Sequence, residues 1–546
     1  MANVTRVLDS QTRTTAPSSK VFRALKPRQL ARDSAQVRRF SGHTSLRVHP
    51  TRPSPTSSRR GCDVLYAAIH WLNNDILLDI FNFYRRDDML GWNNRLGWCK
   101  LSHVCQRWRH LIYASTFHMD MHIECINGTP IVNTLDHLPP LPLVVKYIFP
   151  ITEQDELGIY HALRLHGRIR HINLHLPPSM MQQCLVLMDT HFPMLEYLSL
   201  SFEGDKFTTL TLPKAFLAPN LRHLDLPAVS PPKRLRLLTS SLPLVTLVLK
   251  NIKASSYFRP RVLVARLRSL PQLEELSIQF SIPIPRPSAE WELSGEQVFP
   301  VPLLNLKKLC FVGVSSYLES LVAQIWAPRL TQLDITLFNQ IIFALPRLSH
   351  LINIMQSIGP KFSAAEVFFR RDEVSVTMPR HASALYFSLR VRCVQLDWQI
   401  DCAAQICGAL SHELSGVKEF RLNIYDQNMP TEWQNGEIDP TTWYELLRPF
   451  IGAKELQIHD GLLEELSRAL RVEGRDPGFL PNLQYIIAGT NLFTWFLDTR
   501  VLVGRPVRFS LPPGSPLVPD MTIHRHSSAP ERVRRRMLSR SWSLRA

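Results

Sequence analysis

The chain contains no run of 18 or more uninterrupted apolar residues, so no membrane-spanning helix is expected. Its start lacks the basic-then-apolar layout of a secretory signal, and no such leader is expected. Cysteine is sparse: nine thiols among 546 residues, with no Cys-x-x-Cys pair. That pattern fits reduced, buried thiols in an intracellular protein rather than a disulfide framework. Motifs that carry chemistry are missing as well. There is no GxGxxG, GxxxxGK[ST] or GxSxG, so nothing is marked to cradle a phosphate or present a serine nucleophile. His118 and His122 stand four apart without the Glu of a zinc-protease motif, and Cys402 and Cys407 lack companions at metal-ligand spacing. His166 and His171 flank a basic stretch that reads as surface, and Glu274-Glu275 and Glu464-Glu465 fall on expected solvent faces. The expectation is a chain that is not an enzyme and needs no metal or cofactor.

What is present is a folding composition, 45% apolar, with 41 prolines against 21 glycines, which predicts many interrupted elements. The length suffices for two or three domains or one extended repeat array. The net charge of +17 belongs to the ends. Residues 1–60 hold 13 Lys or Arg against two acids, and residues 520–546 hold seven Arg against two, so the ends carry +16 of it. Residues 1–62 are rich in Ser, Thr, Arg and Pro and are expected to be a disordered basic tail, as is 511–546 with Arg532-Val533-Arg534-Arg535-Arg536. The stretch Val37-Arg38-Arg39-Phe40-Ser41 also resembles the end of a mitochondrial presequence, the alternative to a cytoplasmic or nuclear location. The C-terminal arginines could instead serve nuclear import or contact with nucleic acid.

Between these tails, residues 66–116 predict a compact helical unit. From Leu72 to Asp88, Ile76, Leu77, Ile80, Phe81 and Tyr84 recur at steps that place them along one side of a helix, with Asn73 or Asn74 available as a cap. From Trp98 to Ser115, Leu101, Val104, Cys105, Trp108, Leu111 and Ile112 predict a second such helix. About 45 residues cannot bury two such stripes alone, so part of the apolar surface must meet the rest of the chain or a partner.

These residues resemble the F-box in both order and spacing: Leu72, Asp75, Ile76-Leu77, Ile80-Phe81 and Val104-Cys105-Gln106-Arg107-Trp108. Asn73 stands where that family usually has Pro, and the link from Leu90 to Gly97 is longer than in its compact form. The longer link, and Met119 to Pro130 after it, resemble F-box proteins of mushroom-forming fungi. The resemblance implies docking on a Skp-type adaptor, and through it a cullin, by Leu72, Ile76, Leu77, Ile80, Phe81, Leu101, Val104, Cys105 and Trp108. Some of these will pack the motif's own core instead. Trp108 is the expected anchor, its truncation costing about 3–5 kcal/mol if buried.

After a connector at 117–160, whose LPPLPLVV (Leu138 to Val145) predicts an extended or edge-strand passage, the sequence repeats from 161 to 510. The unit L-x-x-L-x-L begins at Ile169, Leu195, Leu221, Leu244, Leu273, Leu306 and Leu330, at intervals of 26, 26, 23, 29, 33 and 24 residues. Weaker copies begin at Ala364, Val417, Ala453 and Leu483. The last four residues of each copy predict a strand in a parallel ladder, with helices or turns between. The spacing is that of an irregular leucine-rich-repeat solenoid, giving an α/β chain with a small all-helical unit before it. The Asn that usually follows the strand in that repeat is not regularly present.

The variable strand positions predict an exposed concave face that includes Tyr197, Ser199, His223, Asp225, Glu275, Ser277, Lys308, Gln332, Asp334, Glu419 and Arg421. Tyr197, His223, Asp225, Glu275, Lys308, Gln332, Asp334 and Arg421 are the candidate contacts for a target protein. Mixed charge suits a protein partner and disfavours a nucleic-acid backbone. Resemblance and array together imply a substrate receptor of a Skp-cullin-F-box ubiquitin ligase. The alternative is a repeat scaffold not coupled to ubiquitination.

Overall fold

The computed structural model describes residues 71–88, 97–115, 122–135, 140–202, 210–227, 229–231, 237–281, 300–338, 345–358, 361–379, 385–425, 439–471 and 479–512. The chain divides into Met1–Asn73, of which 71–73 are described, and Asn74–Ala546, which carries every element discussed below. The expected tails apart from 511–512, the link 90–96, His118 and residues 119–121 lie outside the described residues, whereas the rest of the tract to Pro130 is described.

The second unit is mixed α/β and solenoid-like, with fifteen helices and one sixteen-stranded, mostly parallel sheet among the described residues. The strands of that sheet, in chain order, begin with β1 (Ile123–Ile126), β2 (Leu143–Ile148), β3 (Ile169–Leu176) and β4 (Tyr197–Phe202). Then come β5 (His223–Leu226), β6 (Thr246–Ile252), β7 (Glu275–Phe280), β8 (Lys308–Gly313) and β9 (Gln332–Leu337). The second half holds β10 (Ala364–Phe369), β11 (Glu373–Met378), β12 (Tyr386–Arg392), β13 (Glu419–Ile424), β14 (Glu455–Ile458), β15 (Tyr485–Ile487) and β16 (Arg508–Ser510).

Each of the eleven L-x-x-L-x-L segments carries one of these strands: throughout at Ile169 and Ala364, at the third to fifth residues at Leu483, and at the third to last residues in the others. Alternation explains the placement. In β5 and β8 the second and fourth residues are buried and the first and third half-exposed. The leucines stack from strand to strand in exact register: Leu198, Leu224, Leu247, Leu276, Leu309 and Leu333 are neighbours across β4 to β9, and each is no more than 1% exposed. One such row cannot bury itself, whereas a stack of rows can.

Two features depart from the expected order. The ladder starts earlier, because β1 and β2 lie in the expected connector. Leu143–Ile148 is extended as anticipated, but it is an internal strand paired with β1 on one side and β3 on the other. The ladder also reverses once. The order is β9-β12-β11-β10-β13, with β11 antiparallel to both its neighbours while β9–β12 and β10–β13 are parallel. The segment from Ala364 is a strand, as its pattern requires, but it does not follow β9 in space. Only a tight turn separates β10 from β11, and a turn that short permits nothing but antiparallel pairing.

The helices that bear on the surfaces below are α1 (Asn74–Asp88), α2 (Gly97–Ser102), α3 (Gln106–Ala114), α4 (Ile131–Leu135), α5 (Glu153–Arg164) and α6 (Leu396–Ala409). At the entry to the strands an asparagine ladder recurs. Asn220, Asn305 and Asn482, each immediately before the first repeat leucine, donate to the carbonyls of Pro193, Pro271 and Ile451 in the preceding turn, at 2.7, 3.0 and 2.9 Å. Arg329, at the same place in its repeat, reaches Asn305 Oδ1 at 3.2 Å.

Candidate protein-interaction surfaces

The helical unit sorts its apolar residues into two sets. Along α1, Leu77 and Phe81 are 1% and 0% exposed, and they form the hairpin's core with Leu78 and Ile112. Trp108, half-buried on α3, meets Phe81 edge-on with ring centroids 4.7 Å apart. The other stripe faces outward. Ile76, Ile80, Phe83 and Tyr84, spaced four, three and one apart, are 49%, 46%, 72% and 38% exposed, and Val104 is 55% exposed. Leu72, Leu101 and Cys105 are half-buried. The structure therefore assigns Leu77 and Phe81 to internal packing and leaves Ile76, Ile80 and Val104 available to a partner. Phe83 was absent from the candidates, although its position three after Ile80 was readable.

The single helix expected from Trp98 to Ser115 is instead two, α2 and α3, broken at His103–Cys105. Cys105 is the reason. Its backbone is extended, and its Sγ accepts the Trp108 N–H at 3.4 Å, an N-cap role that a helix-interior residue cannot play. Arg109 Nε takes the Ser102 carbonyl at 2.9 Å, and Arg107 reaches Asn74 Oδ1 at 2.9 Å, tying α3 back to the start of α1. The break turns Val104 outward.

The polar face of the sheet is built by the same register that stacks the leucines. His171, Tyr197, His223, Thr246, Glu275, Lys308, Gln332 and Tyr386 form one row across consecutive strands. Asn173, Ser199, Asp225, Val248, Ser277, Cys310, Asp334 and Ser388 form the next. Seven of the eight target-contact candidates thus lie in two adjacent rows. Arg421 does not join them: it sits on β13, beyond the reversal, beside Glu366 of β10.

Electrostatics divide this face. From β7 to β12 the charges are paired across strands: Lys308 with Glu275 at 2.8 Å, and Arg390 with Asp334 at 2.6 Å. Arg421 bridges Glu366 at 2.9 Å and Glu419 at 3.3 Å. The hydrogen bond that the Lys308 ammonium donates to Glu275 holds it above its ordinary pKa, and burial pushes the Cys310 thiol beside it up to about 11. On β3 to β5 rings replace ion pairs. His171 and Tyr197 have centroids 5.8 Å apart, Tyr197 and His223 5.9 Å, and His223 Nδ1 meets Thr246 Oγ1 at 3.1 Å. Burial, then the charge of Arg170, depresses the His171 imidazole; burial raises Asp225, only partly offset by Lys250 and a hydrogen bond from Ser199.

Among the described residues no three His, Cys, Asp or Glu side chains converge as a metal site, and no helix is long and apolar enough to cross a membrane. Compared with protein-family models and with curated proteins, the chain finds no match.

Proposed function

We propose that this chain is the substrate-recognition subunit of a Skp-cullin-F-box-type ubiquitin ligase, working in the cytoplasm or nucleus. In this reading α1 to α3 are the F-box that docks the adaptor. The ladder is an irregular leucine-rich-repeat array whose polar face holds a target protein. The observation that carries the reading is the outward stripe of Ile76, Ile80, Phe83 and Tyr84, exposed on a helix that already buries a separate apolar stripe. A helix whose apolar face is wider than the part it buries has more hydrophobic surface than its own fold uses, the mark of an interaction site. Such a subunit performs no covalent chemistry. It raises the effective concentration of the target near a ubiquitin-loaded enzyme and sets its geometry.

The test is co-precipitation of the full chain with a Skp-type adaptor, alongside Ile76→Asp and Ile80→Asp. Both side chains are half-exposed, so the variants should keep the wild-type melting temperature and lose adaptor binding by about tenfold or more. Adaptor that ignores the wild-type chain, while binding another F-box protein under the same conditions, overturns the proposal. The array would then stand as an interaction scaffold uncoupled from ubiquitination.

A further inference from the structure

The reversal of strand order creates a surface that the regular ladder lacks. At the carboxyl ends of β9, β12, β10 and β13, and at the start of antiparallel β11, five side chains follow one another along the rim: Phe338, Arg392, Glu373, Arg370 and Tyr425. At the spacing of neighbouring strands they span roughly 19 Å. The guanidinium of Arg392 lies over the Phe338 ring, 5.5 Å from its centroid, and that of Arg370 lies over Tyr425 at 4.5 Å. Tyr425 is nonetheless 65% exposed, and Trp398, in the first turn of α6 beside this rim, is 45% exposed.

The pad is braced from beneath. Gln399, fully buried, donates through one Nε2 to the carbonyls of Arg370 at 2.7 Å and Cys393 at 2.8 Å, so a single side chain ties both turns to α6. The Cys393 N–H closes on the Asp372 carbonyl at 3.0 Å. Groups held this way lose little freedom on binding. Trp, Tyr and Arg are also the residue types that dominate binding energy at interfaces.

We infer that this rim is a docking site for a protein segment carrying a carboxylate beside a large apolar side chain. The charge pattern selects the occupant. Arg370 is engaged with Glu373 at 2.8 Å, whereas Arg392 makes no ion pair among the described residues and presents its planar fork to solvent. A fork fixed over a ring suits a carboxylate. Arg370, Arg371 and Arg392 are balanced by Asp372, Glu373 and Asp397 on the same rim, so it offers no net positive charge to a polyanion, and a lone acid flanked by an apolar group is the better fit. The rim lies apart from the stripe on α1, and the inference stands whether or not that stripe binds an adaptor.

The experiment is selection of a displayed library of random peptides against the full chain, followed by fluorescence anisotropy of the winning peptide. Enrichment of an acid next to Leu, Phe or Trp is expected. Arg392→Glu, Tyr425→Ala and Trp398→Ala should each weaken binding about tenfold or more, while Leu157→Ala, exposed on α5, leaves it unchanged. Circular dichroism melting of each variant checks its fold, and adaptor co-precipitation by Arg392→Glu should match the wild type, keeping the two proposals separate. A basic consensus, no enrichment, or loss in Leu157→Ala but not at the rim overturns the inference. So does self-association of the chain that Arg392→Glu abolishes, since a second copy would then be the occupant.

Discussion

At the scale of single residues, Asp155 illustrates how the ladder's first strands are held. It is 2% exposed, one oxygen accepting the Gly128 N–H at 2.6 Å and the other the N–H and hydroxyl of Thr152 at 2.9 and 2.8 Å. It thereby closes the capping box of α5 and pins the turn after β1, a turn whose Gly128 takes a positive φ of 77°. Burial alone would raise its pKa, but the hydrogen bonds from Thr152 and Gly128 outweigh burial and leave the carboxyl below its ordinary value. A depressed carboxyl stabilises the fold while ionised. Its contribution is complete above the pKa of the unfolded chain and is lost as pH falls through the folded value. Asp155→Asn should therefore cost about 2 kcal/mol at pH 7. Denaturant titrations should show the gap to wild type closing at acid pH, and a gap independent of pH would refute this role. The asparagine ladder makes a related point. Asn220, Asn305 and Asn482 stand one residue before their segments, outside the six-residue pattern that marks the strands, so the pattern gave no sign of their role. Asn305→Ala should cost about 1 kcal/mol in the same assay, for the partly exposed hydrogen bonds it makes to Pro271 and accepts from Arg329.

At the scale of elements, strands were far more legible than their neighbours or the helix ends. Leu-x-x-Leu-x-Leu announces a strand because two buried leucines two residues apart are what a one-sided strand requires. The same pattern was readable at Ala384-Leu385-Tyr386-Phe387-Ser388-Leu389, which runs into β12, but it begins only 20 residues after the Ala364 copy, at the short end of the repeat spacing. β11 was hidden for another reason: Val374, Val376 and Met378 alternate correctly, yet no leucine leads them and the strand runs the other way. In the helical unit, periodicity placed Ile76, Leu77, Ile80, Phe81 and Tyr84 along one side of α1 but could not divide that side between core and surface, since the buried Leu77 and Phe81 and the exposed Ile76 and Ile80 are spaced alike. Nor could it see the break at Cys105, because an N-cap thiol keeps the same step along the sequence as a core thiol. Trp108 is half-buried against Phe81 rather than enclosed, so Trp108→Ala should cost about 2 kcal/mol, less than the 3–5 kcal/mol typical of a buried Trp. A loss in that upper range, measured by urea unfolding of the full chain, would show the indole to be central to the hairpin's core.

At the scale of the whole array, each strand touches only its neighbours, and stability is close to a sum over adjacent pairs. In such a ladder the reversal is the weak joint. Among the described strands, sheet pairing carries β1 to β9 on to β13 to β16 through β12, β11 and β10, and the parallel pairs on either side join residues about 55 apart, as in Asp334–Arg390 and Glu366–Arg421. Local repeats close over some 25 residues, and the longer loops here carry a larger entropic cost before their contacts form. Val376 is the natural place to probe this. It is fully buried in β11, with Val367 of β10 and Leu389 of β12 as its register partners. A charge there cannot be solvated or paired, so Val376→Asp should release the bridge. Hydrogen exchange should then show β10 to β12 losing amide protection together while β3 to β8 keep theirs, dividing one array into two blocks. Equal loss across all the strands would mean instead that the array unfolds as a single cooperative unit, with the reversal as firmly coupled as any other step of the ladder.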